Sequence, residues 1–121
     1  METADVGKWH NATGGNAAVT ALKKNGFDAV YVETTEAAVE RLMAFVKPGM
    51  SVGFGGSMSL AALGIRDRVK AAGALVLDHN QSGLSPEEKL GVLRKQLTCD
   101  LFLSGSNAVT MEGDIVNVDG N

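Results

Sequence analysis

The stretch Ser51-Val52-Gly53-Phe54-Gly55-Gly56-Ser57-Met58-Ser59-Leu60 decides the fold. It opens as a short apolar strand, passes through Gly53, Gly55 and Gly56, and ends in hydroxyl residues suited to capping a helix. A strand that turns through glycine into a helix leaves backbone N–H groups unpaired and directs them, with the positive end of the helix dipole, into the turn. Such a turn can hold a phosphate or a carboxylate. The same glycines can instead serve close backbone packing. The stretch lacks the dinucleotide fingerprint and the lysine of a P-loop.

On either side of this turn, strand-like and helix-like segments alternate. Ala17, Ala18, Ala21 and Leu22 give a helix over residues 16–25, closed by Gly26, and Gly14-Gly15 argues against an earlier start. Residues 1–10 show no clear period. Asp28-Ala29-Val30-Tyr31-Val32-Glu33 reads as a strand. A helix capped by Thr34-Thr35 follows, with Ala38, Val39, Leu42, Met43, Phe45 and Val46 as its apolar stripe and Pro48-Gly49 as its stop.

After the glycine turn, a helix from Ser59, restarting near Gly64, carries Ile65, Val69 and Ala72 and closes at Gly73. Ala74-Leu75-Val76-Leu77 is a wholly apolar strand, as expected for one covered on both faces. Ser85-Pro86-Glu87-Glu88 is a capping box with proline at the first helical position, opening a helix whose expected inward side is Leu90, Leu93 and Leu97. Asp100 to Ser104 forms a further strand, and residues 108–110 and 115–118 form two short strands around Glu112-Gly113-Asp114. Strands alternating with helices predict an α/β protein with a mainly parallel sheet, and a chain of 121 residues predicts a single domain spanning 1–121.

Composition excludes several classes. The net charge is −3 and lysines and arginines are scattered, so no nucleic-acid surface is expected. No apolar run approaches the roughly 18 residues that span a bilayer. No basic flank and apolar core open the chain, so no signal peptide is expected, and with a single cysteine the expected location is cytoplasmic. His10, His79 and Cys99 have no metal-ligand spacing. Cys99 reads as a small hydrophobe.

Ligands of open parallel sheets bind beyond the carboxyl ends of the strands. The expected ligand-binding residues are therefore Gly53, Gly55, Gly56, Ser57 and Ser59 after one strand, Asp78 after the next, and Gly105, Ser106 and Asn107 after the last, with Asp119 near the C-terminus. Each has a plainer alternative. Asp78-His79 pairs a carboxylate and an imidazole suited to acid–base work, or is a solvated loop entrance. Ser106 and Asn107 either orient a ligand or make ordinary turn hydrogen bonds. Asp119 either reaches a ligand or belongs to the outer face of an edge strand.

Taken together, the motifs resemble the LUD domain, the lactate-utilization protein C-like family. The resemblance rests on Ala21-Leu22-Lys23-Lys24-Asn25-Gly26-Phe27, on Ser51 through Ser57 with Leu60 and Leu63-Gly64, on Gly83-Leu84-Ser85-Pro86-Glu87-Glu88, on Asp100 through Thr110, and on Gly113 with Val116 through Asn121. It implies a three-layer α/β/α domain similar to the ribose-5-phosphate isomerase and CoA transferase-like fold, in which the glycine turn holds a sugar phosphate or a CoA-linked substrate. It also implies a link to lactate oxidation alongside iron–sulfur partner subunits. It transfers no catalytic residue and no cofactor. Family members continue past Asp119-Gly120-Asn121, so the C-terminus looks truncated, and the bare sheet edge this would leave predicts a homo-oligomer.

Three functions follow as expectations. The first is a site for a small anionic metabolite in organic-acid metabolism. The second is a non-catalytic accessory subunit of an iron–sulfur lactate-oxidation complex. The third is an isomerase or transferase with Asp78 or Asp119 as its base.

Overall fold

The computed structural model describes residues 3–56, 61 and 63–118, with side chains from Thr13 onward. Its elements are α1 (Thr3–Lys24), α2 (Thr35–Met43), β1 (Ser51–Phe54), α3 (Ile65–Ala71), β2 (Leu75–Leu77), α4 (Pro86–Gln96), β3 (Leu101–Leu103), β4 (Ala108–Val109) and β5 (Ile115–Val116). They fall into two compact units, Met1–Thr34 with Ser106–Asn121, and Thr35–Gly105. Among the described residues, no helix is long and apolar enough to cross a membrane.

The Thr35–Gly105 unit is an α/β layer structure on a three-stranded parallel sheet of order β2-β1-β3. Val52 pairs with Val76 on one side and Leu101 on the other, and Phe54 pairs with Leu103. Residues in one row of a sheet point to the same face. This face packs against α2 through Val39 and against α3 through Ile65 and Val69, which form one core with Val52, Phe54 and Leu103. Val52, Phe54, Ile65 and Val69 are fully buried, and each such side chain contributes about 1.5–3 kcal/mol by leaving water. On the opposite face, Gly53 pairs with Leu77 and Phe102, and Gln96 of α4 lies against Gly53.

Local chemistry sets the element ends. Pro48-Gly49 makes a turn in which the Met50 N–H donates to Lys47 O, with Gly49 at φ 80°. Gly73, at φ 86°, follows α3, where the Gly73 N–H donates to Lys70 O and the Ala74 N–H to Val69 O. This Schellman motif is the left-handed helix stop for which glycine has the least steric cost. At the start of α4, Ser85 Oγ accepts from the Glu88 N–H at 3.1 Å and Pro86 occupies the first turn, as the capping sequence predicts.

Two expectations for this unit need correction, and a third lies outside what is described. Leu90, Leu93 and Leu97 do not face inward but are 47%, 38% and 86% exposed, and the buried residue of α4 is Gln96. The reason is helix phase: Val92, Gln96 and Cys99, at i, i+4 and i+7, make the less exposed side. Nor is β2 covered along its whole length on both faces, since Leu75 is 59% exposed. The helix expected from Ser59 falls largely outside the described residues.

In the other unit, α1 begins at Thr3 and runs through Gly14-Gly15, earlier than the glycines suggest. The Tyr31 ring occupies the space that a Cβ on Gly15 would need, so packing retains a glycine inside the helix. Asp28 to Glu33 is not a strand. Among the described residues it has no strand partner, and Tyr31 packs on α1 instead. The end of α1 is a Schellman motif at Gly26, as expected, with Gly26 N–H to Lys23 O and Phe27 N–H to Leu22 O. The β4–β5 hairpin is antiparallel. It is held by Thr110 N–H to Asp114 O and Asp114 N–H to Thr110 Oγ1, and Asn25 Nδ2 donates to the carbonyls of Glu112 and Gly113.

Candidate functional site at the carboxyl ends of the strands

The strand order reverses at β1. The chain leaves β1 through α3 to reach β2 on one side, then returns through α4 to β3 on the other. Helices α3 and α4 cover opposite faces of the sheet. In a sheet of this kind the crevice lies past the strand ends where the order switches, here between β1 and β3. Gly55 and Gly56 follow β1 at this point, and Ser104 and Gly105 follow β3.

The glycines have different tasks. A Cβ at Gly53 would lie 2.8 Å from Phe102 Cδ2 and 3.1 Å from both Cys99 Sγ and Gln96 Cγ, so this position serves helix-to-sheet packing. Gly55 donates its N–H to Leu103 O at 2.9 Å, extending the β1–β3 ladder. Its amide is therefore spent, and its value is close approach: a Cβ there would meet Ser104 Cβ at 3.0 Å. Gly56 is exposed, and among the described residues a Cβ on it would have only Asn80 Nδ2 nearby, at 3.6 Å, and its N–H has no acceptor. Of the cradle expected from the sequence, Gly56 keeps an amide with no acceptor among the described residues, whereas Ser57 and Ser59 lie outside the described residues.

Polar side chains lie at the carboxyl ends of β1 and the neighbouring β2. Arg66 Nε lies 2.9 Å from Asp78 Oδ2, and the guanidinium stacks over the Phe54 ring at 5.5 Å from its centroid. The buried Nε–H is not aligned for a hydrogen bond, so the contact with Asp78 is one of charge. Asp78 Oδ1 accepts from the Asn80 N–H at 2.9 Å. Both carboxylate oxygens of Asp78 are thus engaged within the protein, which fits a structural part better than that of a free base.

Gln96, which the leucine pattern concealed, is the best-buried polar side chain here. Its Nε2 donates to Phe54 O at 3.1 Å and to Leu77 O at 2.7 Å, tying together the carboxyl ends of β1 and β2. Its Oε1 lies 3.2 Å from His79 Nδ1. A signal for Gln96 was present in the second phase of α4, where a polar residue follows Val92 by one turn.

Gly105 ends the Thr35–Gly105 unit, whereas Ser106 and Asn107 belong to the other. Asn107 Oδ1 accepts from the Val118 N–H at 2.7 Å, closing the hairpin, which is the ordinary turn reading of this residue. Asp119 lies outside the described residues. Cys99 is half-buried and its thiol donates to Gln96 O at 3.1 Å, in keeping with a structural part. Among the described residues, no three of His, Cys, Asp and Glu gather closely enough to hold a metal ion.

The family model of the LUD domain matches residues 16–121. The chain belongs to the LUD domain family. This places the LUD domain described above among proteins related to lactate utilization. Searches of curated proteins and of solved structures returned no match.

Proposed function

We propose that the chain binds a small anionic metabolite, of the kind handled in lactate or related organic-acid metabolism, at the carboxyl ends of β1 and β3. The supporting observation is the strand order: the switch in β2-β1-β3 coincides with the glycine turn that follows β1. Gly56 offers an N–H that has no acceptor among the described residues, and Arg66, whose side chain is about one-third exposed, offers a positive charge. An incoming carboxylate or phosphate would compete with Asp78 for Arg66. A guanidinium pairs with such groups in two parallel hydrogen bonds, an alignment that the Nε contact with Asp78 lacks.

A thermal-shift screen with lactate, phosphosugars, CoA esters and sulfate tests this. A ligand that binds only the folded state stabilises it by about 2.7 kcal/mol at 100 times its Kd. Stabilisation that disappears in Gly56→Asp supports the site, since the new carboxylate repels an anion. No stabilisation by any of these anions contradicts it.

One observation favours a second reading, in which the protein is an accessory subunit. Leu90, Leu93, Leu97 and Phe102 line an open apolar groove of about 540 Å³, together with Arg94 and Gln96. An exposed apolar groove is one kind of surface that a protein partner covers. On this reading the groove docks an iron–sulfur subunit or a second copy of the chain.

A further inference from the structure

Gln96 fixes more than two strand ends. Phe54 O and Leu77 O can only accept hydrogen bonds, and both lie within reach of one end of the Gln96 amide. That end must be the NH₂ group. The other end, facing His79 Nδ1 at 3.2 Å, is therefore the carbonyl oxygen. An oxygen there requires a proton on Nδ1, and in a neutral imidazole this leaves Nε2 without one. The pairing of two backbone carbonyls thus determines which ring nitrogen of His79 is basic.

His79 follows Asp78 directly beyond the end of β2 and is half-buried. We infer that His79 is held in the Nδ1–H form and presents Nε2 as an acceptor to a hydroxyl group on an anion bound at these strand ends, with Gln96 as its positioning residue. The ligand class is accordingly narrower than any anion: it is a carboxylate or phosphate that also carries a free hydroxyl. The hydroxyl donates to Nε2 while Arg66 and the Gly56 amide meet the negative charge, so this inference rests on the anion site proposed above. Asp78, already engaged by Arg66 and Asn80, is not required as the acceptor.

The ring form can be read without a ligand from the imidazole nitrogen resonances of the full ¹⁵N-labelled chain. A proton on Nδ1 and none on Nε2 at a pH where His79 is neutral is the expected result, and Gln96→Met should shift the population toward Nε2–H. A wild-type ring protonated at Nε2 overturns the inference, whatever binds.

The ligand arm compares lactate with propionate, and glycerol phosphate with propyl phosphate. The hydroxylated member of at least one pair should bind roughly three- to tenfold more tightly, the value of one hydrogen bond. The pair that shows this preference distinguishes a carboxylate source from a phosphate source. In His79→Phe the preference should vanish while binding of the deoxy anion persists. Equal binding of both members of each pair overturns the acceptor role and leaves the anion site standing. No binding by any of them overturns the anion site and the acceptor role together, even with the ring in the Nδ1–H form.

Discussion

Gly53 and Phe102 pair across β1 and β3 so closely that a Cβ on the glycine would lie 2.8 Å from the ring. Gln96 Cγ and Cys99 Sγ close the remaining space at 3.1 Å. The absence of a side chain at this point lets α4 settle on the sheet and brings Gln96 within reach of two strand carbonyls.

Gly53→Ala should therefore destabilise the fold by about 1–3 kcal/mol, the usual cost of overpacking. Gly56→Ala, whose new Cβ has its nearest neighbour at 3.6 Å, should stay within about 0.5 kcal/mol. Urea unfolding of the two variants checks the contrast. Equal losses would show that Gly53 has no special packing duty.

Gln96→Ala removes both donors and leaves Phe54 O and Leu77 O without this partner. Stranding buried acceptors costs about 1–3 kcal/mol each, so a loss of about 2–4 kcal/mol is expected by chemical denaturation. Gln96→Glu should do no better near neutral pH, because an ionised carboxylate can only accept hydrogen bonds and would face two carbonyls.

At the opposite end of the sheet, Asp100 Oδ2 accepts from the Ser51 N–H at 2.9 Å and from Ser51 Oγ at 3.1 Å. These hydrogen bonds hold the Asp100 carboxyl below its usual range. A folded-state pKa below the unfolded value gives stability that is fully present above the unfolded pKa and is lost as the pH falls through the folded one. Asp100→Asn should thus be less stable than wild type near neutral pH, with the gap narrowing below about pH 4. Unfolding midpoints measured across that range give the test, and a gap that widens in acid would contradict the assignment.

Much of the α/β unit was legible because its punctuation is local. Pro48-Gly49, Gly73 and Ser85-Pro86-Glu87-Glu88 each fix a turn or helix end through their own backbone chemistry, and each behaves as read. Asp28 to Glu33 misled because strand-forming residues make a strand only beside another strand. Gln96 was hidden because three leucines in one helix phase outweighed a polar residue in another. The glycine turn was only half legible: the Gly55 amide is spent on the ladder to Leu103, a long-range contact that no local pattern encodes.

If the groove along α4 docks a second copy, Leu97→Asp should shift the chain toward monomer in sedimentation velocity. Leu97 is 86% exposed, so the substitution should leave the unfolding midpoint of the isolated chain nearly unchanged. A wild-type chain that stays monomeric as its concentration rises would exclude self-association through this face.

The most direct measurement of the central claim is a titration of the ¹⁵N-labelled chain with sulfate, phosphate and lactate, following the Gly56 amide and Arg66 Nε. The account predicts saturable shifts at both for at least one of these anions, with Gly49 and Gly113 unmoved. Shifts that grow linearly without saturation, or that leave Gly56 and Arg66 still, would contradict it.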